Sequence, residues 1–578
     1  MAVPMLVADA SAVRDTEARI TLAEALVRSL SDLGVRDAYG ISGGAIAALW
    51  HAMAASPWQV CHFRHESGAA FAATEASLAT GRPVVVYTTT GPGLTNALTG
   101  LLAARGEGAR VILVSGYTAS AGHGRHAIQE TSPFTMPAEF HAAGSLFHQA
   151  TVLDAPGALP ALMRRLANGL ARPQGWVAHI ALPTAQQAAP TAPPLPVPRR
   201  APVAAVPEPA LLDAAGAALR DAPFAVWIGH GARGAAREVR AFIERTGAPI
   251  FCTPRAKGIV PEMHPQFIGV SGMGGHDGVA AWVQAHAERI LVLGTRLGEA
   301  SSLWDARYAV RRGFVHVDVD PQVPCAAYPD APTLAVSADV GAFLRAVLVR
   351  WPAAARVVLP SRPPPPSAPS LAASDRVRPE FLMQAIQRRV VDAGDAIVLA
   401  ESGHSFIWAT RCLRFATPGR YRVSTGVGAM GHAACGVVGA ALASGRRAVA
   451  IVGDGSMLMN NELHSAVKYG ARAVWIVLND GRYGMCHQGM QALGLGADAL
   501  FPEVDFAALA RALGAQGLRV AAEDGLDAVL DAALQAAGPC VVDVLVDPAA
   551  RAPTAARNRG LARLLADGGD AEPSFPPR

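Results

Sequence analysis

Short apolar runs rich in β-branched residues alternate with longer segments rich in Ala and Leu along most of this chain. An apolar run of about four to eight residues is typical of a strand buried on both faces of a sheet, and the intervening segments are long enough for helices. The clearest predicted strands are residues 83–88, 110–115, 225–228, 289–293, 314–318, 396–399, 447–452 and 473–478. This alternation predicts an α/β protein built on doubly wound parallel sheets.

Two segments rich in proline, at residues 188–209 and 352–379, interrupt the alternation. Proline lacks a backbone N–H and fixes φ, so such segments are typical of extended linkers. They divide the chain into the pieces 15–187, 210–350 and 380–550, followed by a tail at 551–578. We predict three doubly wound parallel-sheet domains, and a mobile tail because its sequence is polar and contains Gly and Pro.

Composition and charge narrow the classes of function. The 578 residues are 51% apolar and 17% charged, which suits several buried cores. The 50 Lys and Arg residues exceed the 46 Asp and Glu residues by +4 and form no basic stripe, so we expect no nucleic-acid partner. We find neither a secretory signal nor an apolar run of about 18 residues, so we expect no membrane association and a cytoplasmic location. The seven cysteines are far apart and are expected to be reduced.

Two predicted strand ends in the last piece carry the sharpest candidate site. Gly453-Asp454-Gly455-Ser456 follows the strand 447–452, and Asn479-Asp480 follows the strand 473–478. Glycines after a strand let backbone N–H groups approach a phosphate at the start of the next helix. Oxygen-bearing side chains at neighbouring strand ends can share one Mg²⁺ ion. Taken alone, GDG could equally be a tight turn with an acid that caps a helix.

The GDGS sequence followed by an Asn/Asp-rich strand end resembles the cofactor motif of thiamine-diphosphate-dependent enzymes. The resemblance implies that Asp454, Asp480 and the backbone carbonyl of Arg482 bind Mg²⁺. Because the family motif usually ends in Asn-Asn, Asn479 is an alternative metal ligand to Asp480. Further contacts with thiamine diphosphate are implied for Gly403, His404, Gly453, Gly455, Ser456, Tyr483, Gly484 and Met485. His404 could otherwise be a solvated loop residue.

The first piece contains an independent match to the same enzymes. Arg64-His65-Glu66-Ser67-Gly68 and Gly91-Pro92-Gly93-Leu94-Thr95-Asn96 resemble their pyrimidine-binding domain. By this resemblance Glu66 is the catalytic glutamate that shares a proton with N1′ of the cofactor's aminopyrimidine ring. Ser42, Gly91 and Asn96 are implied cofactor contacts. Either motif alone could be a surface acid or a plain turn, but the motifs occur in the family order.

A third match lies in the segment Ser424-Thr425-Gly426-Val427-Gly428-Ala429-Met430-Gly431-His432, which resembles the segment that bends the cofactor. The resemblance implies that the Met430 side chain wedges between the two cofactor rings. It also implies that the carbonyl of Gly428 accepts a hydrogen bond from the 4′-amino group. Without these neighbours, Met430 would be interpreted as an ordinary core residue.

Other segments are most similar to acetolactate synthase and its carboligase relatives. Residues 40–46 resemble GxPGGAI with Ser42 in place of proline, and residues 127–131 resemble AFQET. The second similarity implies that Gln129 faces the substrate, and His126 in the same segment is a candidate catalytic residue. His123 and His487 are candidate proton relays that could equally satisfy local hydrogen bonds.

Two departures from this family concern the substrate. Ala300 replaces the arginine that binds the acceptor carboxylate, and Gly489 replaces a tryptophan of the acceptor pocket. A carboxylate acceptor therefore loses a charged partner, and the pocket gains room. We predict a carboligase that decarboxylates a 2-oxo acid such as pyruvate and transfers the acyl unit to a carbonyl acceptor, giving an acyloin or acetolactate-like product.

Two other functions stay open from the sequence: a simple non-oxidative 2-oxo acid decarboxylase, and a non-catalytic nucleotide-binding α/β protein. FAD is a candidate second cofactor because residues 227–231, 271–276 and 315–320 loosely resemble flavin-binding relatives. In the family, the glutamate of one subunit meets the diphosphate site of another. The resemblance therefore implies a homodimer or homotetramer with active sites at the subunit interface.

Overall fold

The computed structural model describes residues 19–201, 204–352, 355–360, 374–459, 462–496 and 498–567. These residues form three six-stranded sheets whose strand pairs are all parallel, together with one small two-stranded sheet. Helices alternate with the strands of each large sheet. The predicted class of three doubly wound α/β domains is therefore confirmed.

The first domain has the strand order β3-β2-β4-β5-β7-β6, and β1 pairs antiparallel with β8. Its elements are β1 Ile20–Thr21, α1 Leu22–Asp32, β2 Asp37–Gly40, α2 Ala47–Ala54, β3 Gln59–His62, α3 Glu66–Thr80, β4 Val84–Thr88, α4 Pro92–Asn96, α5 Leu98–Glu107, β5 Arg110–Tyr117, β6 Gln149–Val152, α6 Leu159–Leu170, β7 Trp176–Pro183 and β8 Pro190–Thr191. The first residues of the predicted linker 188–209 thus pair with the start of the domain.

The middle domain has the strand order β11-β10-β9-β12-β13-β14. Its elements are α7 Pro209–Arg220, β9 Phe224–Ile228, α8 Ala236–Thr246, β10 Ile250–Cys252, β11 Phe267–Val270, α9 Gly278–His286, β12 Arg289–Leu293, α10 Glu299–Ser302, β13 Phe314–Asp318, β14 Thr333–Ser337 and α11 Val340–Arg350. Much of the predicted linker 352–379 lies outside the described residues.

The third domain has the strand order β16-β15-β17-β18-β20-β19. Its elements are α12 Pro379–Ile386, a π-helix Gln387–Asp392, β15 Ile397–Ala400, α13 His404–Cys412, β16 Tyr421–Val423, α14 His432–Ser444, β17 Ala448–Gly453, α15 Asp454–Met457, α16 Leu463–Tyr469, β18 Ala473–Asn479, α17 Gly484–Ala492, α18 Phe506–Ala512, β19 Gln516–Val520, α19 Leu526–Gln535, β20 Cys540–Leu545 and α20 Ala555–Asp567.

The first and third sheets share one topology. In both, the chain order of the strands across the sheet is second, first, third, fourth, sixth, fifth. The chain leaves the first and third strands in opposite directions, which creates a crevice at their carboxyl ends where ligands of such sheets bind. These crevices lie between β2 and β4 in the first domain and between β15 and β17 in the third.

A continuous apolar core joins the first and third domains through α3 and α14. Small residues allow the two helices to approach closely. A Cβ atom built on Gly439 would lie 1.9 Å from the carbonyl oxygen of Ala72, and one built on Gly436 would lie 2.7 Å from Cγ of Glu75. We infer that this contact fixes the two domains relative to each other, since close-packed interiors do not accommodate added atoms.

The first part of the predicted tail 551–578 contains a helix, and residues 568–578 lie outside the described residues. Residues 555–567 form α20, and Ala552 just before it is buried. Contacts with α17, described below, stabilise this start of the tail. No helix among the described residues combines the length and the apolar character that crossing a membrane requires.

Candidate active site

A cleft opens at the carboxyl ends of β15, β17 and β18 in the third domain. The helices α13, α15 and α17 begin at this cleft and follow β15, β17 and β18, respectively, either directly or after a short loop. Helix N-termini present unpaired backbone N–H groups and the positive end of the helix dipole. The cleft is therefore built to receive an anion such as a diphosphate.

The structure brings most of the predicted third-domain residues together in this cleft. The predicted residues that line it are Gly403, His404, Met430, Gly453, Asp454, Gly455, Ser456, Asp480, Arg482, Tyr483, Gly484 and Met485. Gly428 and Asn479 lie outside the lining. Every lining residue belongs to the part of the chain after residue 378, so Glu66 is not in this cleft within one chain.

Asp454 fixes the geometry between the two predicted strand ends. Its Oδ2 accepts hydrogen bonds from the backbone N–H groups of Asp480 (3.0 Å) and Gly481 (2.7 Å), and its Oδ1 accepts from Gly455 (2.7 Å). Burial raises the pKa of Asp454 despite these donors. The carboxylate therefore ties the end of β17 to the turn after β18.

Asp480 supplies a second carboxylate to the same cleft. Burial, and then the nearby charge of Asp454, raises the pKa of Asp480 to about 7. A divalent cation between two such carboxylates would offset their repulsion, and Mg²⁺ prefers carboxylate, carbonyl and phosphate oxygens. Within the described ranges, no three His, Cys, Asp or Glu side chains converge as a metal site. The available donors thus fit a metal that also binds a backbone carbonyl and a phosphate.

Asn479, the alternative ligand, is directed differently. Its Nδ2 donates to the Val504 carbonyl and to Oδ1 of Asp543, both at 2.8 Å, and the residue is fully buried at the end of β18. Its Oδ1 is buried and has no hydrogen-bond partner among the described residues. The contacts of Nδ2 give the Asn479 amide a structural role, and Asp480 but not Asn479 lines the cleft, so Asp480 stays the first candidate for the metal ligand.

Substitution of these two neighbours should separate the two roles. We expect Asp480→Ala to weaken Mg²⁺-dependent binding of thiamine diphosphate by at least about tenfold. The free energy of unfolding of this variant should change little. We expect Asn479→Ala to lower the free energy of unfolding by about 1–3 kcal/mol, because Oδ1 of Asp543 and the Val504 carbonyl lose a donor. Titration calorimetry and urea unfolding measure the two effects. The reverse pattern would make Asn479 the ligand.

Glycines in the cleft make room for side chains. A Cβ atom on Gly455 would lie 2.6 Å from the Tyr483 ring and 3.6 Å from Cε of Met430. A Cβ atom on Gly484 would lie 2.7 Å from Nδ1 of His404. Burial, and then Arg482, lowers the pKa of His404 to about 4, so this imidazole is neutral at neutral pH. His404 is therefore a half-buried residue that lines the cleft rather than a solvated loop residue.

The Gly428 carbonyl already has one partner, since it accepts a hydrogen bond from Oγ of Ser402 at 2.8 Å. Gly428 has φ of 64°, a conformation that favours glycine. A carbonyl oxygen has two lone pairs, so this one retains capacity for the predicted contact with the cofactor's amino group.

The predicted residues of the first domain form a second group, at the carboxyl ends of β2, β4 and β5. Glu66 begins α3 and is buried, and its Oε2 accepts a hydrogen bond from Nδ2 of Asn96 at 3.1 Å. Gly91 has φ of 62°, and a Cβ atom there would lie 3.0 Å from Cβ of Gln129. Ser42 lies two residues after β2. Glu66, Asn96, Gly91 and Gln129 thus converge at the equivalent crevice of the first domain.

The segment that contains Gln129 has a strained backbone. Gln129 and His126 have φ of 55° and 61°, which is unusual for residues other than glycine, and both are exposed. His123 forms a hydrogen bond with the Thr118 carbonyl, and His487 forms one with the Gln491 side chain. Neither His123 nor His487 is among the residues that line the third-domain cleft.

Sequence reasoning missed Glu107, which holds the segment that leads to Met430. Its Oε1 accepts hydrogen bonds from Oγ of Ser424 and from the backbone N–H groups of Thr425 and Gly426, at 2.8–3.0 Å. Its Oε2 lies 2.9 Å from Nε of Arg255 in the middle domain. Burial opposes ionisation of Glu107, but Arg255 and these donors outweigh it and lower its pKa. One buried carboxylate therefore joins all three domains.

Glu462 was missed as well. It is buried, and its carboxylate accepts hydrogen bonds from the backbone N–H groups of Arg64 and His65, the two residues before Glu66. Oγ of Ser465 donates to it at 2.6 Å. Glu462 therefore helps to position the start of α3, where Glu66 lies. Neither acid has a local sequence pattern that would have revealed these contacts.

The Glu462→Gln variant should become more stable relative to the native protein as the pH rises. Burial raises the pKa of Glu462 from 4.5 to about 7 in the folded protein. Between these pH values the carboxyl ionises in the unfolded chain but stays protonated in the folded one. The free energy of unfolding of the unsubstituted protein therefore falls as the pH rises through this range. Gln does not titrate and resembles the neutral carboxyl. Thermal unfolding from pH 4 to 8 tests this expectation, and a difference in Tm that is independent of pH would contradict it.

Three family models match the chain. They describe the N-terminal TPP binding domain, the central domain and the C-terminal TPP binding domain of thiamine pyrophosphate enzymes, over residues 20–136, 214–347 and 401–544. Thiamine pyrophosphate and thiamine diphosphate are the same cofactor. Each model thus covers one of the three sheets or most of it.

Curated relatives match nearly the whole chain. An acetolactate synthase of Mycobacterium bovis is 30% identical over 91% of this chain and 88% of its own length. A putative acetolactate synthase large subunit of Mycobacterium tuberculosis is 29% identical over 85% of this chain and 91% of its own length. A probable 2-ketoarginine decarboxylase of Pseudomonas aeruginosa is 30% identical over 86% of this chain and 88% of its own length. The chain therefore belongs to the thiamine pyrophosphate enzyme family and is a thiamine-diphosphate-dependent enzyme of the acetolactate synthase type.

Proposed function

We propose that this enzyme binds Mg²⁺ with its cofactor, decarboxylates a 2-oxo acid, with pyruvate as the first candidate, and transfers the acyl unit to a carbonyl acceptor. The observation that carries the proposal is the pair of half-sites at equivalent crevices of two sheets. One half-site holds the buried Glu66 against Asn96, and the other holds Asp454 and Asp480 among helix N-termini. The named acetolactate synthases among the relatives support this reaction class.

Each half-site has its own task in this proposal. Bound thiamine diphosphate supplies a nucleophilic carbon and an electron sink for decarboxylation. Glu66 holds and releases a proton at its carboxyl, with Asn96 orienting Oε2. Asp454, Asp480 and the Arg482 carbonyl hold the metal, and Met430 orients the reacting groups. Gln129 faces the substrate.

We infer that the active enzyme is a homo-oligomer in which Glu66 of one subunit faces the third-domain cleft of another. Glu66 does not line the cleft of its own chain. Large apolar side chains near both half-sites are exposed in the single chain, which favours a partner that covers them. The exposed fractions are 92% for Ile128, 75% for Phe134, 51% for Met459, 48% for Tyr483 and 44% for Val427.

Product analysis tests the reaction. Purified enzyme is supplied with a panel of 2-oxo acids, each with and without an aldehyde or ketone acceptor, and the products are identified by mass spectrometry. We expect an acyloin-type product that requires the acceptor, because Ala300 and Gly489 remove a carboxylate partner and open the pocket. Acetolactate formed from pyruvate as efficiently as any acyloin would contradict this acceptor choice.

A simple decarboxylase is the second candidate, and the relative named as a probable 2-ketoarginine decarboxylase supports it. In that case the same panel yields only the aldehyde of each 2-oxo acid, whether or not an acceptor is present. Membership of an enzyme family argues against the third hypothesis, a non-catalytic nucleotide-binding protein.

FAD stays a prediction with no step assigned to it. The glycines of the middle domain that resemble flavin-binding segments serve close packing within the protein. A Cβ atom on Gly229 would lie 2.2 Å from Cβ of Thr295, and one on Gly231 would lie 2.9 Å from Cα of Gly294. Trp227 donates from Nε1 to Oγ of Ser271 at 2.9 Å. An absorption spectrum of the purified protein tests for a bound flavin.

A further inference from the structure

The segment just before α20 is hydrogen-bonded to a side chain of α17. Gln488 of α17 donates from Nε2 to the Ala552 carbonyl (2.6 Å) and to Oγ1 of Thr554 (2.8 Å), and its Oε1 accepts from the backbone N–H of Ala552 (3.0 Å). Ala552 and Thr554 are both buried. Because α17 begins at the cleft, these bonds hold the residues that lead into α20 beside the candidate active site.

Arg557, in this first turn, lines the cleft together with His404, Arg482 and Asp547. Its side chain is half-buried. Among the described residues, its guanidinium has no hydrogen bond or ion pair, whereas Arg482 lies 3.4 Å from Oδ2 of Asp480. An arginine presents five donors in a rigid fork that suits carboxylate and phosphate oxygens. An unpaired arginine beside an anion-binding cleft therefore has its donors available to a ligand.

Gly489 lies beside the Arg557 guanidinium and leaves open space there. A Cβ atom on Gly489 would lie 3.8 Å from Nη1 of Arg557, and among the described residues outside α17 no other heavy atom lies within 4 Å of it. A large side chain at position 489 would compete with the guanidinium for this space. The absence of a side chain at Gly489 therefore leaves room for the Arg557 guanidinium of α20 beside the cleft.

We propose that Arg557 binds an oxyanion of the reacting complex, through paired hydrogen bonds to a carboxylate or phosphate group. The oxyanion belongs either to the 2-oxo acid or to the diphosphate end of the cofactor. This inference rests on the proposed function. It assigns a cation from the tail to the proposed active site.

The test compares Arg557→Met with Arg557→Lys and with a control, Arg559→Met, which removes an exposed arginine of the same helix. Calorimetry measures the Kd of thiamine diphosphate with Mg²⁺, and steady-state kinetics measure KM for the 2-oxo acid. Loss of a charge-assisted pair should raise one of these constants about 10-fold to 100-fold in Arg557→Met. Arg557→Lys should recover part of the loss, and Arg559→Met should match the native protein.

The two measurements distinguish the source of the oxyanion. A higher Kd for the cofactor identifies the phosphate, and a higher KM at unchanged cofactor Kd identifies the substrate carboxylate. Gly489→Leu, which leaves the charge in place but fills its space, should produce the same change. If both constants for Arg557→Met stay within about twofold of the native values, the inference is wrong. Failure of the native protein to bind thiamine diphosphate would instead overturn the proposed function.

Discussion

Replacing Glu66 by Gln is expected to reduce kcat by about two to four orders of magnitude while the fold persists. The buried Glu66 carboxyl begins α3 and accepts a hydrogen bond from Nδ2 of Asn96. Gln has the same shape and keeps an oxygen for Asn96, but it cannot share a proton with a ring nitrogen. The chemical step should therefore fail although the contacts of the folded protein are retained.

The matched control is Glu139→Gln, which removes a carboxylate from an exposed position of the same domain. Its kcat should equal that of the native enzyme. Thermal unfolding of Glu66→Gln should occur within a few degrees of the native protein. A kcat within about tenfold of the native value would show that Glu66 is not the proton-sharing acid.

Asp454→Ala should have the second large effect, because it acts on the cofactor site and on the local fold together. We expect the Kd of thiamine diphosphate in the presence of Mg²⁺ to rise by at least about 100-fold. Three backbone N–H groups, of Gly455, Asp480 and Gly481, would also lose their acceptor. Each buried donor without a partner costs about 1–3 kcal/mol, so the free energy of unfolding should fall as well.

Asp454→Asn separates the two effects. The amide retains one carbonyl oxygen, which can accept from the backbone N–H groups of Asp480 and Gly481. The stability of Asp454→Asn should therefore lie between that of the native protein and that of Asp454→Ala. The lost charge should still weaken metal-dependent cofactor binding. Calorimetry and urea unfolding of the three proteins provide the comparison. Native cofactor affinity in Asp454→Ala would exclude this residue as a metal ligand.

Much of the fold could be predicted because buried parallel strands are continuous apolar runs. The predicted strands 447–452 and 473–478 correspond to β17 Ala448–Gly453 and β18 Ala473–Asn479. The third-domain half-site was predictable for a related reason. Its metal-binding candidates follow neighbouring strands, and parallel strands bring their carboxyl ends to one edge of the sheet.

Contacts between distant segments could not be predicted. Glu107 is separated from Thr425 by 318 residues and Glu462 from Arg64 by 398, and each acid looks locally like a solvated helix or loop residue. Their roles depend on how the first and third domains pack. The helix α20 was missed because the Gly and Pro content of residues 551–578 outweighed the helix-forming run that Gln488 anchors.

The central claim is that Glu66 and the Asp454 cleft of different subunits share one cofactor. Co-expression of Glu66→Gln and Asp454→Ala chains, each inactive alone, tests it most directly. In mixed dimers, one of the two sites would combine an intact Glu66 with an intact Asp454. With random assortment, activity should return to about a quarter of the native value. If each site were instead formed within a single chain, every site in a mixed oligomer would carry one of the two substitutions. Mixed oligomers that are isolated through two different tags and remain inactive would therefore contradict the claim.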